Sequence, residues 1–460
     1  MKQKVTKSAA AHRFFLFYAA CVCAFAAGVI PARALDYTAV TDALGSLFGS
    51  AADANEGLTT FRSLNIPSGG KAEALGTAFT GLADDVGFFD YNPAASCLLV
   101  QTQAAVMHNA WIADSALETC AGTIRFNNLG LGAAVKCFYV PFTQYNLFGD
   151  RISGGYYSET TAILNVSYNF FSGYYFKGLA VGANIKASYR SVPDFADSKT
   201  NELLQGSGLG QSAFAVMADV GIMLRFNAAK RFASREPNLK IGIAVTNLGA
   251  AVTGFGTAGG AHIDDPLPTR IAFGISYRPI RPLTLTAEFR QPINLQNILL
   301  SQLCSGGIGV QLQVVSFFSV QAGFLIQGYN PRVSLGSMLS FKSIDVQINY
   351  TLDLTSSLNP LNRISLSAQL KLGDRGRAEQ QRETDRLYAQ ALKLYAEGNL
   401  EMARSTLYAL LVRDPSFDPA QRIIDEIEAA LEMQRMIIDF QMLDTLPEQQ
   451  AEQPPLPSSQ

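Results

Sequence analysis

Six basic side chains lie on the polar face of alternating segments, where a guanidinium or ammonium group could bind a carboxylate. In residues 177–190, 213–226 and 269–278, apolar residues occupy every second position, and small, polar or charged residues fill the positions between them. The alternative is that the basic groups line a water-filled interior or pair with Asp219 and Glu288. The candidate contacts for an anionic head group are Lys186, Arg190, Arg225, Arg270, Arg278 and Arg290.

Other residue types that carry chemistry are sparse. The histidines His12, His108 and His262 are far apart and no CxxC pair occurs, so we predict no metal site. No nucleophile–base arrangement or paired acidic motif is present, so we expect neither an enzyme nor a bound cofactor. Residues 254–259 match GxGxxG, but the dinucleotide fingerprint needs a strand before it and a helix after it, so we interpret this match as fortuitous.

Period-two alternation predicts β-strands with one apolar face. Charged residues make up only 16% of the chain and hydrophobic residues 48%, whereas soluble domains usually have about 25% charged residues. No apolar run of the roughly 20 residues that a membrane helix needs follows residue 34. These observations fit either a buried core of strands or a transmembrane barrel, and with the connections and N-terminus described below we predict an all-β transmembrane barrel of about 14 antiparallel strands. The candidate strands lie near 97–108, 117–126, 129–140, 157–170, 177–190, 211–226, 239–247, 269–278, 283–290, 306–315, 317–326, 333–341, 344–352 and 363–372.

The connections between these strands differ in length according to their order. Those after odd-numbered strands are mostly long, and those after even-numbered strands are mostly short, with 227–238 as the exception. Outer-membrane barrels alternate long extracellular loops with short periplasmic turns in this way. An even strand count also returns the chain to the periplasmic side. The long connections are 141–156, 191–210, 248–268 and 291–305.

The N-terminus has the three parts of a secretory signal peptide. Basic residues up to Arg13 precede an apolar run at 14–30, and residues 32–34 form a small-x-small cleavage site. We expect residues 1–34 to be removed; a retained anchor or lipidation at Cys21 are the alternatives. Removal takes away five of the 36 basic residues and none of the 38 acidic ones, so the formal charge falls from -2 to -7. No basic cluster of the kind that binds nucleic acid remains.

The rest of the chain divides by composition. We expect an N-terminal hatch at 35–96, the barrel at 97–372, a periplasmic helical module at 373–446 and a disordered Pro- and Gln-rich tail at 447–460. One tetratricopeptide-like repeat, followed by a helix near 418–443, fits the module, and a helical tail without a specific partner is the alternative. The repeat spacing is carried by Leu387, Ala391, Leu394, Tyr395, Gly398, Leu400, Ala403, Leu407, Leu410 and Pro415.

Four cysteines remain after the signal peptide, and export permits disulfides. Cys120 and Cys137 share a face on the two arms of a predicted hairpin. A disulfide between them is one interpretation, and two small apolar residues facing lipid is the one we favour. Sequence spacing alone does not decide between them.

Residues 70–85 and the following Asn92-Pro93-Ala94 resemble the N-terminal hatch signature of the FadL family of hydrophobic-compound transporters, which includes PorV-like barrels of the type 9 secretion system. Residues 245–249 and 267–277 resemble strand motifs of these barrels. The resemblance covers about residues 60–372. Together with the C-terminal helices, the chain resembles an uncharacterised spirochaetal group of FadL-like proteins.

The resemblance implies a fourteen-stranded outer-membrane barrel, closed by a hatch, that takes up long-chain fatty acids or other hydrophobic molecules. By position, Asn92, Pro93 and Ala94 are the hatch motif within the lumen. The chain departs from the pattern because the last strand, 363–372, is not its end. A PorV-like barrel that binds a periplasmic or secreted protein through residues 374–446 is therefore the alternative function, and a general porin is a third. The ligand, the direction of transport, the protein partner and the oligomeric state stay open.

Overall fold

The computed structural model describes residues 59–444, apart from short gaps at 113, 147, 198–199, 201, 233, 255–265, 298–300, 302–303, 328–329 and 355–360. The expected signal peptide, the first part of the expected hatch, most of the GxGxxG match, His262 and the expected tail all lie outside the described residues.

Fourteen antiparallel strands form a closed barrel of the outer-membrane type. Each strand pairs with its neighbours in the sequence, and β1 pairs with β14 to close the barrel, with Gln103 opposite Lys371. All fourteen predicted strands are confirmed. They are β1 (Gln103–Ala110), β2 (Ala116–Phe126), β3 (Leu129–Tyr145), β4 (Arg151–Ser172), β5 (Lys177–Ser191), β6 (Ala213–Phe226), β7 (Leu239–Thr253), β8 (Thr269–Ile280), β9 (Leu283–Ile293), β10 (Ser305–Val315), β11 (Phe318–Gln327), β12 (Asn330–Ser340), β13 (Ile344–Asp353) and β14 (Leu361–Lys371).

The apolar face of each strand points outward. On β5, Ile185 is 65% exposed, whereas its neighbours Asn184 and Lys186 are almost fully buried. Asn184 lies opposite Asp219 of β6, and both side chains point into the barrel. Apolar residues outside and polar residues inside are the arrangement that a barrel needs when its outer surface meets lipid.

A folded segment, residues 59–99, lies inside the barrel, and we call it the hatch from here on. Most of its buried apolar residues form one cluster with inward-facing side chains of the wall, and Phe61 and Leu64 belong to a second cluster against β6 and β7. The elements of the hatch are short because the chain must turn repeatedly within the lumen. They are the 3-10 helices Arg62–Asn65, Val86–Asp90 and Pro93–Leu98 and the α-helix α1 (Gly70–Ala74).

The first strand begins later than predicted. Residues from 97 onward were expected to be strand, but Cys97 belongs to the last 3-10 helix of the hatch and β1 starts at Gln103. The Cys97 amide donates a hydrogen bond to the Ser167 hydroxyl on β4, at 2.8 Å. The apolar residues at 97–99 therefore pack inside the lumen instead of facing outward.

Three helices follow the barrel. They are α3 (Arg377–Ala396), α4 (Leu400–Arg413) and α5 (Asp418–Asp444), after the single-turn α2 (Ser207–Gln211) in the β5–β6 connection. Their shared core contains Leu407, Phe417 and Ile424, and Tyr174 from the β4–β5 turn packs against it. Arg235 in the β6–β7 connection pairs with Asp385 of α3 at 2.5 Å. The helices are thus docked on one end of the barrel. Among the residues that the structure describes, no helix is both long and apolar enough to span a membrane.

The disulfide interpretation for Cys120 and Cys137 is wrong. Both thiols are free, as are Cys97 and Cys304. Cys120 lies opposite Val135, and Cys137 lies opposite Glu118, so the strand register offsets the two cysteines by two residues. The Cys120 side chain is exposed on the outer surface, as the favoured interpretation expected.

Candidate functional site

The two ends of the barrel differ, and we name them by their connections. The loop end carries the connections after odd-numbered strands, and the turn end carries those after even-numbered strands. The hatch leads into β1 at the turn end, and α3 follows β14 there. The hatch lies between the two ends and separates a cavity on the loop side from a second cavity at the turn end.

The hatch motif sits directly on the barrel wall. Asn92, fully buried, donates from its Nδ2 to the carbonyls of Thr80 (3.0 Å) and Ile222 (3.1 Å), and its Oδ1 accepts from the Ala94 amide at 3.1 Å. The Pro93 carbonyl accepts from Asn165 Nδ2 at 2.9 Å. One asparagine therefore caps the following 3-10 helix and joins two parts of the hatch to β6.

Glycines in the wall allow this close approach. A Cβ at Gly182 of β5 would lie 2.3 Å from the Pro93 carbonyl oxygen, and one at Gly221 of β6 would lie 2.2 Å from Asn92 Oδ1. Any larger residue at these two positions would collide with the motif. These small residues of the inner face therefore leave room for the hatch against the wall. Their position on the polar face of the strands did not predict this contact.

Buried charges also hold the hatch to the wall. Lys136 of β3 pairs with Asp90 at 2.7 Å, and both side chains are about 5% exposed. Glu288 of β9 accepts hydrogen bonds from the amides of Phe79 and Thr80, each at 2.7 Å. These contacts are made in a water-poor interior, where breaking one partner leaves an uncompensated charge.

A cavity of about 400 Å³ lies on the loop side of the hatch. This volume falls in the range of about 300–1,000 Å³ that is usual for small-molecule pockets. The hatch forms part of its lining, and strands from around the barrel form the rest. Its apolar lining is Ile66, Pro67, Trp111, Phe138, Leu267, Ile293 and Leu325, and its charged lining is Arg62, Glu73, Glu159, Arg270, Arg290, Arg332 and Arg363.

Arg363 is a buried cation of this cavity that has unpaired hydrogen-bond donors. Its guanidinium stacks on Trp111, 4.0 Å from the ring centroid, and the residue is only 3% exposed. Within the described part of the chain, its Nε and Nη1 have no hydrogen-bond partner. Leaving such donors unpaired in a buried site costs free energy, which a bound acceptor would recover.

Burial disfavours the charged form of the neighbouring acid, Glu73. Burial raises the pKa of the Glu73 carboxyl above its usual range, although Ser365 and the charge of Arg363 act in the opposite direction. Arg332 is paired with Asp353 at 2.8 Å. The cavity therefore presents a buried guanidinium beside an apolar wall, which is the arrangement that suits an apolar molecule with an anionic group.

The structure brings two of the six candidate head-group contacts to this cavity. Arg270 donates to the Asp90 carbonyl at 2.6 Å, and Arg290 donates to Thr77 Oγ1 at 2.9 Å and pairs with Glu288, so both also hold the hatch. The alternative that the basic groups pair with acidic neighbours is confirmed for Arg290 and also for Lys186, which lies 2.7 Å from Asp219.

The other three candidates lie elsewhere in the lumen. Arg190, near the loop end, donates to Thr60 Oγ1 (3.1 Å) and the Gln211 carbonyl (3.0 Å). Arg225 donates to the Lys177 carbonyl at 2.8 Å, near the turn end. Arg278 is half-buried at the same end, where its amide donates to the Asn238 carbonyl at 2.7 Å. The six therefore follow the lumen along its length and do not form one site.

Most residues of the cavity were missed in the sequence, among them Glu73, Trp111, Arg332 and Arg363. Alternation along 363–372 places Arg363 on the same face as Ser365 and Ser367, so this signal could have identified it. Trp111 lies in a connection between strands, where alternation does not predict the direction in which a side chain points. Among the described residues, no group of three or more His, Cys, Asp or Glu side chains could hold a metal ion.

The model of a family described as "Uncharacterised protein family (UPF0164)" matches residues 36–375. Two Treponema pallidum (strain Nichols) proteins, each described as "UPF0164 protein", are similar to this chain. One is 27% identical over 415 residues, covering 88% of this chain and 91% of that protein. The other is 28% identical over 388 residues, covering 83% of this chain and 78% of that protein.

Three solved structures are also similar to this one. The Ralstonia pickettii toluene transporter TbuX has a TM-score of 0.41 and 13% identity, over 65% of this chain and 97% of that chain. The CymD monoaromatic hydrocarbon channel has a TM-score of 0.42 and 12% identity, over 66% and 97%. A Pseudomonas aeruginosa FadL homologue has a TM-score of 0.40 and 10% identity, over 65% and 97%.

Proposed function

We propose that this chain, which belongs to the uncharacterised protein family UPF0164, is an outer-membrane transporter for hydrophobic small molecules with an anionic group, such as long-chain fatty acids. The loop end then faces the outside of the cell, and the turn end with its helices faces the periplasm. The ligand binds in the cavity on the loop side of the hatch before it passes the hatch.

The observation that carries this proposal is the Arg363 guanidinium in the 400 Å³ cavity. Its unpaired Nε or Nη1 would donate to a carboxylate oxygen, and the apolar lining would contact the hydrocarbon chain. Arginine suits this role because its planar fork matches the two carboxylate oxygens. The resemblance of the hatch signature to the FadL family supports the same kind of ligand.

In this proposal the uptake path passes the hatch, which lies between the cavity and the turn end, and a lateral opening in the barrel wall is the alternative exit. Arg270 and Arg290 contact both the cavity and the hatch backbone. A ligand anion that attracts either arginine competes with the hatch carbonyls for the same donors. Ligand binding at either arginine would therefore weaken the hydrogen bonds that fix hatch residues 77–90 to the barrel wall.

Equilibrium binding of a labelled long-chain fatty acid to the full chain in an uncharged detergent tests the proposal. We expect saturable binding, weakened by Arg363→Gln about tenfold or more, since a hydrogen bond to a charged group contributes about 1.5–3 kcal/mol. Arg435→Gln, on an exposed site of α5, is the matched control and should leave binding unchanged. Equal affinity for both variants, or no binding above that of an unrelated barrel, would refute the proposal.

A second candidate function is a barrel that binds a periplasmic protein, as PorV-like barrels do. Apolar side chains on the last part of α5 favour it, because Met433, Met436, Ile437 and Phe440 are each more than half exposed. A helix face of this kind is a common contact for a partner groove. The tetratricopeptide-like spacing in α3 and α4 would suit the same role.

Removal of residues 374–460 separates the two functions. Fatty-acid uptake into cells that express the shortened chain should continue if the barrel is a transporter in its own right. Loss of uptake, with the shortened barrel still folded in the membrane, would instead favour the partner-binding function. A barrel with large, stable conductance in planar bilayers would indicate a general porin.

A further inference from the structure

A second cavity, of about 540 Å³, lies at the turn end between the barrel and the helices. Its walls come from the β2–β3, β4–β5 and β6–β7 connections and from α3 and the end of α4. The last residues of the hatch, including Leu98, form its inner side. A molecule that leaves the lumen past this part of the hatch would enter this cavity.

Positive charge exceeds negative charge in the lining of this cavity. Six basic residues stand against three acidic ones, Glu236, Asp374 and Asp414. Two of the six are paired across the helices: Arg235 with Asp385 and Arg413 with Glu383. The Lys177 ammonium lies 5.3 Å from the centre of the Tyr174 ring. The other three basic residues are arginines: Arg125, Arg225 and Arg377.

Backbone carbonyls hold these three guanidinium groups in place. Arg125 donates to the carbonyls of Asn127 (2.6 Å) and Leu99 (3.0 Å). Arg225 donates to the carbonyl of Lys177 (2.8 Å), and Arg377 donates to those of Asp374 (2.8 Å) and Val100 (2.7 Å). Carbonyl contacts fix the position of a guanidinium without placing a carboxylate against it.

The acidic residues nearby are engaged elsewhere or exposed. The two Asp374 carboxylate oxygens accept from the amides of Gly376 (3.1 Å) and Ala378 (2.7 Å). Asp414 Oδ1 accepts from the Ser416 hydroxyl at 2.7 Å. Glu236 is exposed to solvent. In the described chain, Arg225 Nε and Arg377 Nη1 are buried and have no hydrogen-bond partner.

We propose that Arg125, Arg225 and Arg377 form a second binding site, which takes the oxyanion head group of an amphiphile at the turn end. Three fixed guanidinium groups, two of which carry a buried donor without a partner among the described residues, match a carboxylate or a phosphate. The apolar lining, Leu98, Val100, Tyr174 and Phe417, would contact the attached hydrocarbon chain. Two sources of this chemistry exist: the carboxylate of a transported molecule leaving the hatch, and the phosphate of a membrane lipid.

The site requires both the barrel and the helices. Arg125 and Arg225 belong to β2 and β6, whereas Arg377 begins α3. The docked helices therefore complete the site and close one side of the cavity. The role of the site as a receiver of transported carboxylates rests on the proposed function, but the binding of an oxyanion there does not.

Calorimetric titration of the full chain in an uncharged detergent tests this site with three probes of equal chain length: octanoate, octyl phosphate and octanol. The test variant is Arg125→Gln with Arg377→Gln, and Arg435→Gln is the matched control. We expect the double variant to bind the two anions about tenfold to a hundredfold more weakly than the unchanged chain, because it loses charge-assisted hydrogen bonds. Binding of octanol should not change. Equal affinities of the unchanged chain and the double variant for both anions would overturn the proposal.

The two anions distinguish the two sources. A preference for octanoate assigns the site to transported carboxylates. A preference for octyl phosphate, together with more phospholipid retained by the unchanged protein than by the double variant, assigns it to membrane lipid. Arg225→Gln alone provides a second variant if the double change disturbs docking of α3, and heat-dependent gel migration checks that each barrel is folded.

Failure of this site and failure of the proposed function give different signals. The loop-side cavity contains Trp111, the single tryptophan of the chain, and the turn-end cavity contains none. Ligand binding in the loop-side cavity should therefore alter tryptophan fluorescence, whereas binding in the turn-end cavity should release or absorb heat without changing the fluorescence. The double variant should keep the fluorescence response that Arg363→Gln loses.

Discussion

The guanidinium of Arg363 lies over the indole ring of Trp111, with 4.0 Å between the guanidinium carbon and the ring centroid. A cation in this position is attracted by the negative face of the ring. Trp111 directly follows β1 and Arg363 is part of β14, the two strands that close the barrel. The contact therefore links the β1–β14 pair, which closes the barrel, to the wall of the loop-side cavity.

Ligand binding in this cavity should change the fluorescence of Trp111. A carboxylate that pairs with Arg363 alters the charge next to the ring, so we expect a saturable change in intensity during titration with a long-chain fatty acid. The midpoint should equal the one found with labelled ligand. Arg363→Gln should remove the response, and Arg435→Gln should keep it. A response of equal size in the Arg363→Gln protein would contradict this role of Arg363.

Alanine at Gly221 should loosen the hatch. The new Cβ would lie 2.2 Å from Asn92 Oδ1, and overpacking of this kind costs about 1–3 kcal/mol. We expect faster proteolysis within residues 59–99 and a larger current in planar bilayers. Gly122→Ala is the matched control, because its Cβ would meet no atom closer than 3.9 Å. Equal currents for the two variants would show that the hatch tolerates the change.

Methionine at Lys136 should destabilise the folded protein strongly. It leaves the buried Asp90 carboxylate without its ammonium partner at 2.7 Å, and breaking a buried pair costs about 3–5 kcal/mol. Urea unfolding followed by hatch proteolysis measures the loss. Adding Asp90→Asn should restore part of the stability, because the unpaired charge is then removed. A double variant less stable than Lys136→Met alone would show that the pair is not the cause.

Hatch stability should fall as the pH rises toward neutrality, because of Asp85. Burial, together with the charge of Asp84, raises the pKa of Asp85 to about 6 from its ordinary value of 3.8, and Lys71 acts in the opposite direction. A carboxyl whose folded-state pKa is raised favours folding while it is protonated. Its contribution is fully present below about pH 4 and is lost as the pH passes about 6.

Asp85→Asn tests this pH dependence. The asparagine stays neutral, and its side-chain oxygen can still accept the hydrogen bond from the Gly87 amide, 2.8 Å long in the unchanged protein. Hydrogen exchange of residues 84–90 should then show a smaller change between pH 4.5 and pH 7.5 than in the unchanged protein, in the pH interval that the raised pKa defines. The same pH dependence in both proteins would assign the effect to another group.

The strands were predictable from the sequence because a barrel wall imposes a strict alternation between lipid and lumen. Ile185 and its neighbours Asn184 and Lys186 show this directly, and the alternation continues through β5. The predicted start of β1 was wrong because Cys97 and the two leucines after it also form an apolar run, and this run packs against the inner wall of the barrel. Alternation does not distinguish an outer surface from a packed lumen.

The cavity was only partly predictable. Arg270 and Arg290 were found because they lie on strands with clear alternation. Trp111 and Arg363 are separated by most of the chain, and only closure of the barrel between β1 and β14 brings them together. Local patterns contain no information on which lumen positions meet across the barrel. For the same reason, the sequence did not show that Arg125 and Arg377 share a cavity.

The fit between glycines and hatch has a consequence for the order of assembly. Close contacts of the hatch reach β5 and β6 on one side, at Gly182 and Gly221, and β11 on the other, where a Cβ at Gly323 would lie 1.9 Å from the Gly76 nitrogen. A finished barrel would have to reopen to admit a segment held so closely on opposite walls. We expect the strands to assemble around the hatch before β1 pairs with β14 and closes the barrel. Pulse-labelled chains that lack residues 59–99 should reach the heat-resistant gel form more slowly than complete ones.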